Sequence, residues 1–414
     1  MKNNIELKAI KKLKKYKQDR IIDLLENIEE KESLYKQILE LDFNKIDKLY
    51  NELSKKEKIS GDNIEEITAL NKDKLSKEEL EKYDTLGENI IKNNQYALVT
   101  MSGGQGTRLG YDKAKGTFKV NIDPEPKYLF EILADKLKSV NEKYNVIVPW
   151  YIMTSEENNE EIQEFFKEHN FFEYPEKDIK FFKQGNLPLI TEQGKLIIGS
   201  KKTIKEAADG NGGIFNSMYK NNVLKDMKKR GIKWIFISSI DNILLKVADT
   251  TLVGLAEERK VEIATKSILK NSPDERVGAI CKNNGRIKVI EYSEMSEEMQ
   301  NKKNEDGEFT FGESHIMCNL FSLKALNKLA KKYLPYHIAY KKSEYMNEKG
   351  EIIKPERPNV YKFETFIFDS WTYFKDIAVL RGKREEDFAP IKNKEGIDSP
   401  QTAIELYNNY IKSI

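Results

Sequence analysis

The stretch of the chain with the most obvious chemistry is a glycine-rich turn that follows an apolar run. Residues 98–110 read LVTMSGGQGTRLG, so a predicted buried strand leads into glycines and then Arg108, with Lys115 shortly beyond. Glycine lets the backbone approach a ligand without an intervening Cβ. Successive N–H groups in such a turn form a concave anion site, which the two cations would flank. The stretch suits a nucleoside triphosphate, although an ordinary strand-to-helix turn would read similarly.

The same stretch departs from two common nucleotide-binding patterns. No Gly-Lys-Ser/Thr sequence closes the turn, so it is not a Walker loop. The residue three after Gly106 is Leu109, so the dinucleotide fingerprint is not complete either. A dinucleotide-dependent oxidoreductase would also need an acidic residue at the end of the next strand, whereas that predicted strand ends in Met153-Thr154. The sequence therefore disfavours an oxidoreductase of this kind.

Other polar residues follow predicted strands or lie in glycine-rich turns. Asp241 comes shortly after the apolar run 234–237. A carboxylate there could hold Mg²⁺, which prefers one or two carboxylates with phosphate oxygens and water, or it could cap a turn. Residues 209–213 read DGNGG, which allows close backbone approach to a ligand or forms a flexible turn. From residue types alone, the sequence predicts that Gln184 lies in a turn and that Glu291 lies at a solvent-exposed strand end.

The elements that must position these residues change in character along the chain. Residues 1–93 are charge-rich and carry apolar residues at helical spacing, which predicts an N-terminal helical region. In residues 94–325, strands and helices alternate, which favours a mostly parallel sheet with helices on both faces. Asn283-Asn284-Gly285 predicts a hairpin within that part. Residues 326–414 form a C-terminal region, and the expected fold class is α/β.

Composition excludes several classes of function. The chain has 414 residues, with 70 basic and 68 acidic side chains, and this balance argues against a nucleic-acid-binding protein. No apolar run is long enough to cross a bilayer, and the N-terminus lacks the apolar core of a secretory signal. Cys281 and Cys318 lie in strand-like stretches and read as buried free thiols in a reducing compartment. We therefore expect a cytoplasmic protein with no nucleic-acid or membrane partner.

The motifs together resemble those of one family. GGxGTRLG followed by a lysine is the signature loop of the UTP-dependent sugar-phosphate uridylyltransferases, and this chain is similar above all to the UDP-N-acetylhexosamine pyrophosphorylases. The resemblance extends from residue 96 to the C-terminus and includes segments 184–188, 209–213, 240–249 and 291–294. It implies a Rossmann-like, GT-A-like nucleotidyltransferase fold, in which a mixed sheet is flanked by helices and the C-terminal region completes the active site.

The resemblance also implies a role for each matching residue. Arg108, Lys115 and Lys392 would be catalytic cations that neutralise phosphate charge. The UTP site would contain Ser102, Gly103, Gly104, Gly106, Thr107, Gln184, Gly210 and Lys362. The sugar site would contain Asn211, Glu291, Tyr292 and His315. Asp241 would be the metal ligand for Mg²⁺, and Asp369, which follows an apolar run, is a second candidate ligand.

The implied reaction converts UTP and a hexose 1-phosphate into a UDP-sugar and pyrophosphate, with N-acetylglucosamine 1-phosphate as the first expectation. A glucose-1-phosphate or broad-specificity uridylyltransferase and a non-catalytic UDP-sugar sensor are the alternatives. Two departures from the family pattern bear on these alternatives. Ala114 replaces the usual proline before the lysine, which should loosen that turn. His315 stands where an asparagine often touches the sugar, which leaves the identity of the sugar open.

Overall fold

The structure is a computed structural model that describes residues 4–53 and 64–413. These residues form two compact units, each built from separate stretches of the chain. Unit 1 contains the described part of Met1–Lys58 with Gly185–Gly213 and Leu334–Phe366, and unit 2 contains the described parts of Ile59–Gln184 and Ile367–Ile414 with Ile214–Tyr333. The two units are defined by how the chain packs, whereas the segments 1–93, 94–325 and 326–414 are defined by changes in composition and periodicity along the sequence. The division into those three segments therefore stays a prediction.

The described residues contain both helices and strands, numbered separately in chain order. The α-helices are α1 Asn4–Lys15, α2 Asp19–Leu24, α3 Glu32–Glu40, α4 Phe43–Glu52, α5 Lys77–Lys92, α6 Leu129–Tyr144, α7 Asn159–Glu168, α8 Ile214–Lys220, α9 Val223–Lys229, α10 Thr250–Arg259, α11 Glu297–Asn301, α12 Leu323–Leu329, α13 Arg384–Asp387 and α14 Pro400–Ser413. The strands are β1 Ile64–Glu66, β2 Leu70–Asn71, β3 Tyr96–Met101, β4 Lys119–Val120, β5 Lys127–Tyr128, β6 Trp150–Thr154, β7 Ile179–Lys183, β8 Asn186–Pro188, β9 Glu206–Ala208, β10 Trp234–Ser239, β11 Ile263–Leu269, β12 Ala279–Asn283, β13 Arg286–Ile290, β14 Glu313–Ser322, β15 His337–Lys341, β16 Tyr345–Met346, β17 Ile352–Ile353, β18 Val360–Glu364 and β19 Ala378–Arg381.

Unit 2 is built on a mixed sheet with the strand order β2-β19-β11-β14-β10-β3-β6-β7. Strands β10, β3, β6 and β7 are parallel to one another, and β14 runs antiparallel between β10 and β11. Every residue of β3 is buried, as expected for a strand covered on both faces. The predicted mixed α/β sheet is therefore confirmed. Since parallel strands end at one edge, the residues that follow β3, β7 and β10 meet there.

Local sequence signals account for several element boundaries in unit 2. Ser76 begins α5 with a capping box, because its hydroxyl accepts from the Glu79 N–H at 3.2 Å while the Glu79 carboxylate accepts from the Ser76 N–H at 2.9 Å. The predicted hairpin is confirmed as β12 and β13. Its turn residues Asn284 and Gly285 have φ of +53° and +71°, which this type of tight turn requires.

Unit 1 packs the N-terminal helices against short strands from two distant parts of the chain. Strand β8 pairs with β9, and β15 pairs with β18. Leu13, Ile38 and Phe43 from the helices share one buried core with Leu187 and Phe363 from the strands. The helices thus form the hydrophobic support of the strands, rather than a separate helical domain.

Two further observations concern the described residues as a whole. None of their helices is both long and apolar enough to cross a membrane. Cys281 and Cys318 are buried and free, as the sequence predicts.

Candidate active site

The glycine-rich loop leaves the carboxyl end of β3 and is anchored there by Ser102. The Ser102 N–H and hydroxyl donate to the Met153 carbonyl at 2.8 and 3.0 Å, and the Asn158 amide donates to the Ser102 carbonyl at 3.0 Å. Ser102 is 1% exposed. These bonds fix the start of the loop to the end of β6, and the role of Ser102 in binding UTP stays a prediction.

The loop is closed by two backbone hydrogen bonds that leave other donors free. The Gly106 N–H donates to the Lys113 carbonyl at 2.9 Å, and the Lys115 N–H donates to the Gly104 carbonyl at 3.1 Å. Among the described residues, the N–H groups of Gly103, Gly104 and Gln105 have no hydrogen-bond partner. Three successive free donors at the end of a parallel strand are suited to an anion, and the role of Gly103, Gly104 and Gly106 in binding UTP stays a prediction.

The second half of the loop presents a free cation. A Cβ on Gly106 would lie 2.8–2.9 Å from the side chain and carbonyl of Tyr111, so only glycine fits where the chain turns back. Thr107 and Arg108 follow in a short 3₁₀ turn and are exposed. The Arg108 guanidinium makes neither an ion pair nor a hydrogen bond with any described residue. It is therefore available to an anionic ligand.

Gln184 lies directly against the loop. Its N–H donates to the Thr154 carbonyl at 2.8 Å, which fixes its backbone just after β7. A Cβ placed on Gly103 would lie 2.8 Å from Cδ, Oε1 and Nε2 of the carboxamide, so the side chain occupies the space that glycine leaves. The carboxamide has no hydrogen-bond partner within the described part of the chain. It therefore offers one acceptor and two donors to a ligand.

Asp241 and Lys115 form the charged centre of the site. Lys115 Nζ lies 3.2 Å from Asp241 Oδ2, and their side chains are 11% and 19% exposed. Burial opposes ionisation of Asp241, but the charges of Lys115 and Lys392 and a hydrogen bond from Ser239 outweigh it and hold the pKa below its usual value. The carboxylate is therefore ionised at neutral pH.

Lys392 reaches this centre from the C-terminal part of unit 2. The Ile391 N–H donates to the Asp241 carbonyl at 2.9 Å, which holds the two segments together. Lys392 Nζ lies 3.7 Å from Asp398 Oδ2 and 5.3 Å from the centre of the Phe388 ring. The catalytic role of Arg108, Lys115 and Lys392 stays a prediction, and the structure brings the charges of Lys115 and Lys392 close enough to the Asp241 carboxylate to lower its pKa.

The turn before Lys115 is held by a side chain of α7. The Ala114 N–H donates to Glu161 Oε1 at 3.0 Å, and Ala114 is fully buried. Proline has no N–H and could not make this bond. The carboxylate of Glu161 in α7 thus restrains this turn through a bond that proline could not make, and the expected loosening relative to proline stays a prediction.

His315 lies at the same edge, near the start of β14. Its N–H donates to the Gly278 carbonyl at 2.9 Å, its Nε2 lies 3.0 Å from Asn319 Oδ1, and its ring packs edge-on against Trp371 at 5.2 Å. Burial, with a smaller contribution from the charge of Lys392, lowers the pKa of His315 to about 4 against the opposing hydrogen bond with Asn319. At neutral pH the ring is an uncharged donor and acceptor.

The other predicted residues of this edge are Glu291, Tyr292 and Asp369. A Cβ on Gly278 would lie 3.3 Å from Glu291 Oε1, so Glu291 and His315 flank the same glycine. Tyr292 is 40% exposed, and Asp369 is 3% exposed in the 3₁₀ segment that also carries Trp371. No group of three or more His, Cys, Asp or Glu in the described chain is arranged to hold a metal ion.

Gly210, Asn211 and Lys362 belong to unit 1. Gly210 has φ +85°, and a Cβ there would lie 2.3 Å from the Thr365 carbonyl oxygen. The Gly212 N–H donates to that same oxygen at 2.8 Å, so the turn containing Asn211 is fixed beside the end of β18. On β18, Lys362 Nζ donates to Glu364 Oε1 at 2.9 Å. Within unit 1 the structure therefore brings the DGNGG turn and the strand that carries Lys362 together.

The fold and the site define an α/β protein of the nucleotidyltransferase type. A family model described as UTP–glucose-1-phosphate uridylyltransferase matches residues 40–399, and the chain belongs to this family. The predictions of family and fold are thereby confirmed.

Named relatives narrow the comparison within the family. The chain is 36% identical over 333 residues to a Homo sapiens protein called UDP-N-acetylhexosamine pyrophosphorylase-like protein 1, covering 78% of this chain and 66% of that protein. It is 36% identical over 340 residues to the UDP-N-acetylglucosamine pyrophosphorylase of Saccharomyces cerevisiae, covering 79% of this chain and 71% of the yeast protein. The crystal structure of the Trypanosoma brucei UDP-N-acetylglucosamine pyrophosphorylase in complex with an inhibitor superposes with a TM-score of 0.80 at 27% identity, covering 98% of this chain and 84% of that chain.

Proposed function

We propose that this chain transfers the uridylyl group of UTP to a hexose 1-phosphate, with N-acetylglucosamine 1-phosphate as its preferred acceptor. The observation that carries the proposal is the Lys115–Asp241 contact of 3.2 Å beside a loop with free N–H groups. Such a site suits a triphosphate beside a metal-binding carboxylate. The choice of acceptor is supported by the names of the relatives that are 36% identical.

The chemistry needs no covalent intermediate on the protein. A phosphate oxygen of the sugar phosphate bonds to the α-phosphorus of UTP, the bond from that phosphorus to the bridging oxygen breaks, and pyrophosphate leaves with the electron pair. Catalysis then depends on positioning and on neutralising phosphate charge. The N–H groups of Gly103 and Gly104 with Arg108 would bind the departing phosphates, and Lys115 and Lys392 would offset the charge that develops.

Recognition of the base would fall to Gln184. Its free carboxamide can donate to one uracil carbonyl and accept from the ring N–H, which are adjacent on that base. The backbone bond of Gln184 to Thr154 at 2.8 Å fixes where the carboxamide starts. Gly103, the first loop residue with a free N–H group, lies directly against the same carboxamide.

Asp241 is the residue that would hold Mg²⁺. Its carboxylate is ionised and accessible, and a single protein carboxylate is sufficient when phosphate oxygens and water supply the other ligands. When bound, the ion would withdraw charge from the phosphate oxygens. Asp369 as a second ligand, and the roles of Gly210, Asn211 and Lys362 toward uridine, sugar and phosphate, remain predictions from the family resemblance.

His315, Glu291 and Tyr292 are proposed to contact the sugar. The uncharged imidazole of His315 donates from Nε2 to Asn319, so its Nδ1 would accept a hydrogen bond from a sugar hydroxyl or an amide N–H, and Glu291 would accept from sugar hydroxyls. A cytoplasmic location is part of the proposal, because the free thiols of Cys281 and Cys318 suit a reducing compartment.

The test is a pyrophosphate-release assay on the purified full chain with UTP and Mg²⁺. The acceptors compared are the 1-phosphates of N-acetylglucosamine, N-acetylgalactosamine and glucose. We expect release that requires both UTP and acceptor and is fastest with N-acetylglucosamine 1-phosphate. Fastest release with glucose 1-phosphate would overturn the proposed preference for N-acetylglucosamine 1-phosphate. Binding of a UDP-sugar without any pyrophosphate release would overturn the proposed enzymatic activity and favour a UDP-sugar sensor.

A further inference from the structure

The segment that carries Asp241 is joined to the segment that carries Lys392 by a buried amide. Asn242 is 4% exposed, and its Nδ2 donates to the Asp387 carbonyl at 2.7 Å. Its Oδ1 accepts from the Ala389 N–H at 2.9 Å and from the Leu244 N–H at 3.2 Å. One side chain therefore holds both segments.

The backbone on either side of Asn242 follows the same arrangement. The Ile391 N–H donates to the Asp241 carbonyl at 2.9 Å, and the Ile243 N–H donates to the Ala389 carbonyl at 3.2 Å. Asn242 and Pro390 face each other in an antiparallel bridge. The two catalytic segments thus lie side by side, with Asn242 between them on the side away from solvent.

A second connection between the same segments lies further from the site. Lys266 is 2% exposed, and its ammonium contacts Asp249 Oδ2 at 2.6 Å and also Asp387. Asp249 begins α10 by accepting from the Leu252 N–H at 3.0 Å. This buried ion cluster joins the two segments at a second place, so Asn242 and the backbone bonds beside it hold the parts of the segments that lie nearest Asp241 and Lys392.

We propose that Asn242 is a positioning residue that sets the place of Lys392 relative to Asp241 during uridylyl transfer. The inference rests on the proposed function. Asn242 needs no contact with a substrate to act in this way, because its nitrogen and its oxygen both bond within the protein. An amide is suited to this place, since it donates to one carbonyl and accepts from N–H groups at once. Without it, the Ala389 N–H would be left buried and unpaired.

The proposal predicts a loss in turnover rather than in substrate binding. Misplacing a charged group by about 1 Å can cost about 100-fold in rate, so we expect Asn242→Ala to lower kcat about 100-fold with little change in KM for UTP. Asn242→Asp keeps the oxygen that accepts from Ala389 and Leu244 but loses the donor to Asp387. Its kcat should lie between those of the wild type and Asn242→Ala.

A double-mutant comparison separates positioning from a general structural defect. If Asn242 acts through Lys392, then adding Asn242→Ala to Lys392→Met should slow the enzyme no further than Lys392→Met alone, within about twofold. Independent losses would instead multiply.

Asn141 provides the matched control. Its Oδ1 accepts from the Val148 N–H at 2.9 Å, and its Nδ2 donates to the Tyr174 hydroxyl at 3.1 Å. Like Asn242, it bridges separate segments of the chain. Its bond to Val148 lies just before the amino end of β6, at the edge of the sheet opposite the candidate site. We expect Asn141→Ala to lower the Tm and to leave kcat unchanged.

The outcomes are distinguishable. Wild-type protein without UTP-dependent pyrophosphate release would overturn the proposed function and this inference with it. Active wild type with unchanged kcat in Asn242→Ala, or with losses that multiply in the double variant, would overturn this inference alone. If Asn242→Ala does not fold, then Asn242→Asp decides, and wild-type kcat in that variant would overturn the proposal.

Discussion

Replacing Gly103 with alanine tests how the loop and Gln184 act together. The new Cβ would lie 2.8 Å from three heavy atoms of the Gln184 carboxamide, whereas ordinary van der Waals contact begins at 3.4 Å. The carboxamide would therefore have to move by about 0.6 Å or more, because its backbone is fixed to Thr154 and cannot follow. Gly103 does not have positive φ, so alanine is compatible with its backbone.

The size of the effect follows from the hydrogen bonds that would be lost. Two bonds from the carboxamide to uracil contribute about 0.5–1.5 kcal/mol each, or about 1–3 kcal/mol together. Since about 1.4 kcal/mol corresponds to a tenfold change in affinity, UTP should bind about 5- to 150-fold more weakly to Gly103→Ala. The Tm should stay close to that of the wild type, because the clash involves the end of a flexible side chain.

The assay is calorimetric titration with UTP, together with KM for UTP. Gln184→Ala serves as the comparison, because it removes the carboxamide without altering the loop. If Gly103→Ala acts by displacing Gln184, then the double variant should bind UTP about as weakly as the weaker single variant. Wild-type affinity in folded Gly103→Ala, or fully additive losses, would refute the reasoning.

Three further predictions concern charged groups. Arg108→Ala and Lys115→Ala should each lower kcat about 100-fold or more, as expected when one preorganised donor for developing charge is lost, and near-normal pyrophosphate release would remove that residue from the mechanism. Asp241→Asn should abolish Mg²⁺-dependent turnover, and an unchanged Mg²⁺ titration would contradict its role as the metal ligand. Burial and the charge of Lys246 lower the pKa of Lys136 to about 7 in the folded protein, so between that pH and its ordinary pKa of 10.5 the unfolded chain binds more protons at this site. The free energy of unfolding of the wild type should therefore rise with pH relative to Lys136→Met over this range, and parallel pH curves from denaturant titrations would show this to be wrong.

Features that depend on neighbouring residues in sequence were predictable. The strand before the glycine loop, the capping box at Ser76 and the hairpin at Asn284-Gly285 each follow from local backbone and hydrogen-bond preferences. The proximity of Lys115 and Asp241 was also predictable, because each follows a parallel strand and such strands end at one edge.

Features that depend on which distant segment packs nearby were not predictable from spacing. The apolar stripe of the N-terminal helices predicts that they are buried, but nothing in it indicates that Leu13 and Phe43 share a core with Phe363. The same holds for the Ala114 N–H, whose partner Glu161 comes from α7. Asn242 lies in a recognisable motif, yet its role depends on its packing against a segment that comes much later in the sequence.

The central claim is that the loop at the end of β3 binds the phosphates of UTP beside Asp241. A crystal structure of the full chain with a non-hydrolysable UTP analogue and Mg²⁺ tests it most directly. We expect phosphate oxygens within hydrogen-bond distance of the Gly103 and Gly104 N–H groups, the uracil on the Gln184 carboxamide and the ion on Asp241. A nucleotide bound elsewhere, with this loop empty, would contradict the account.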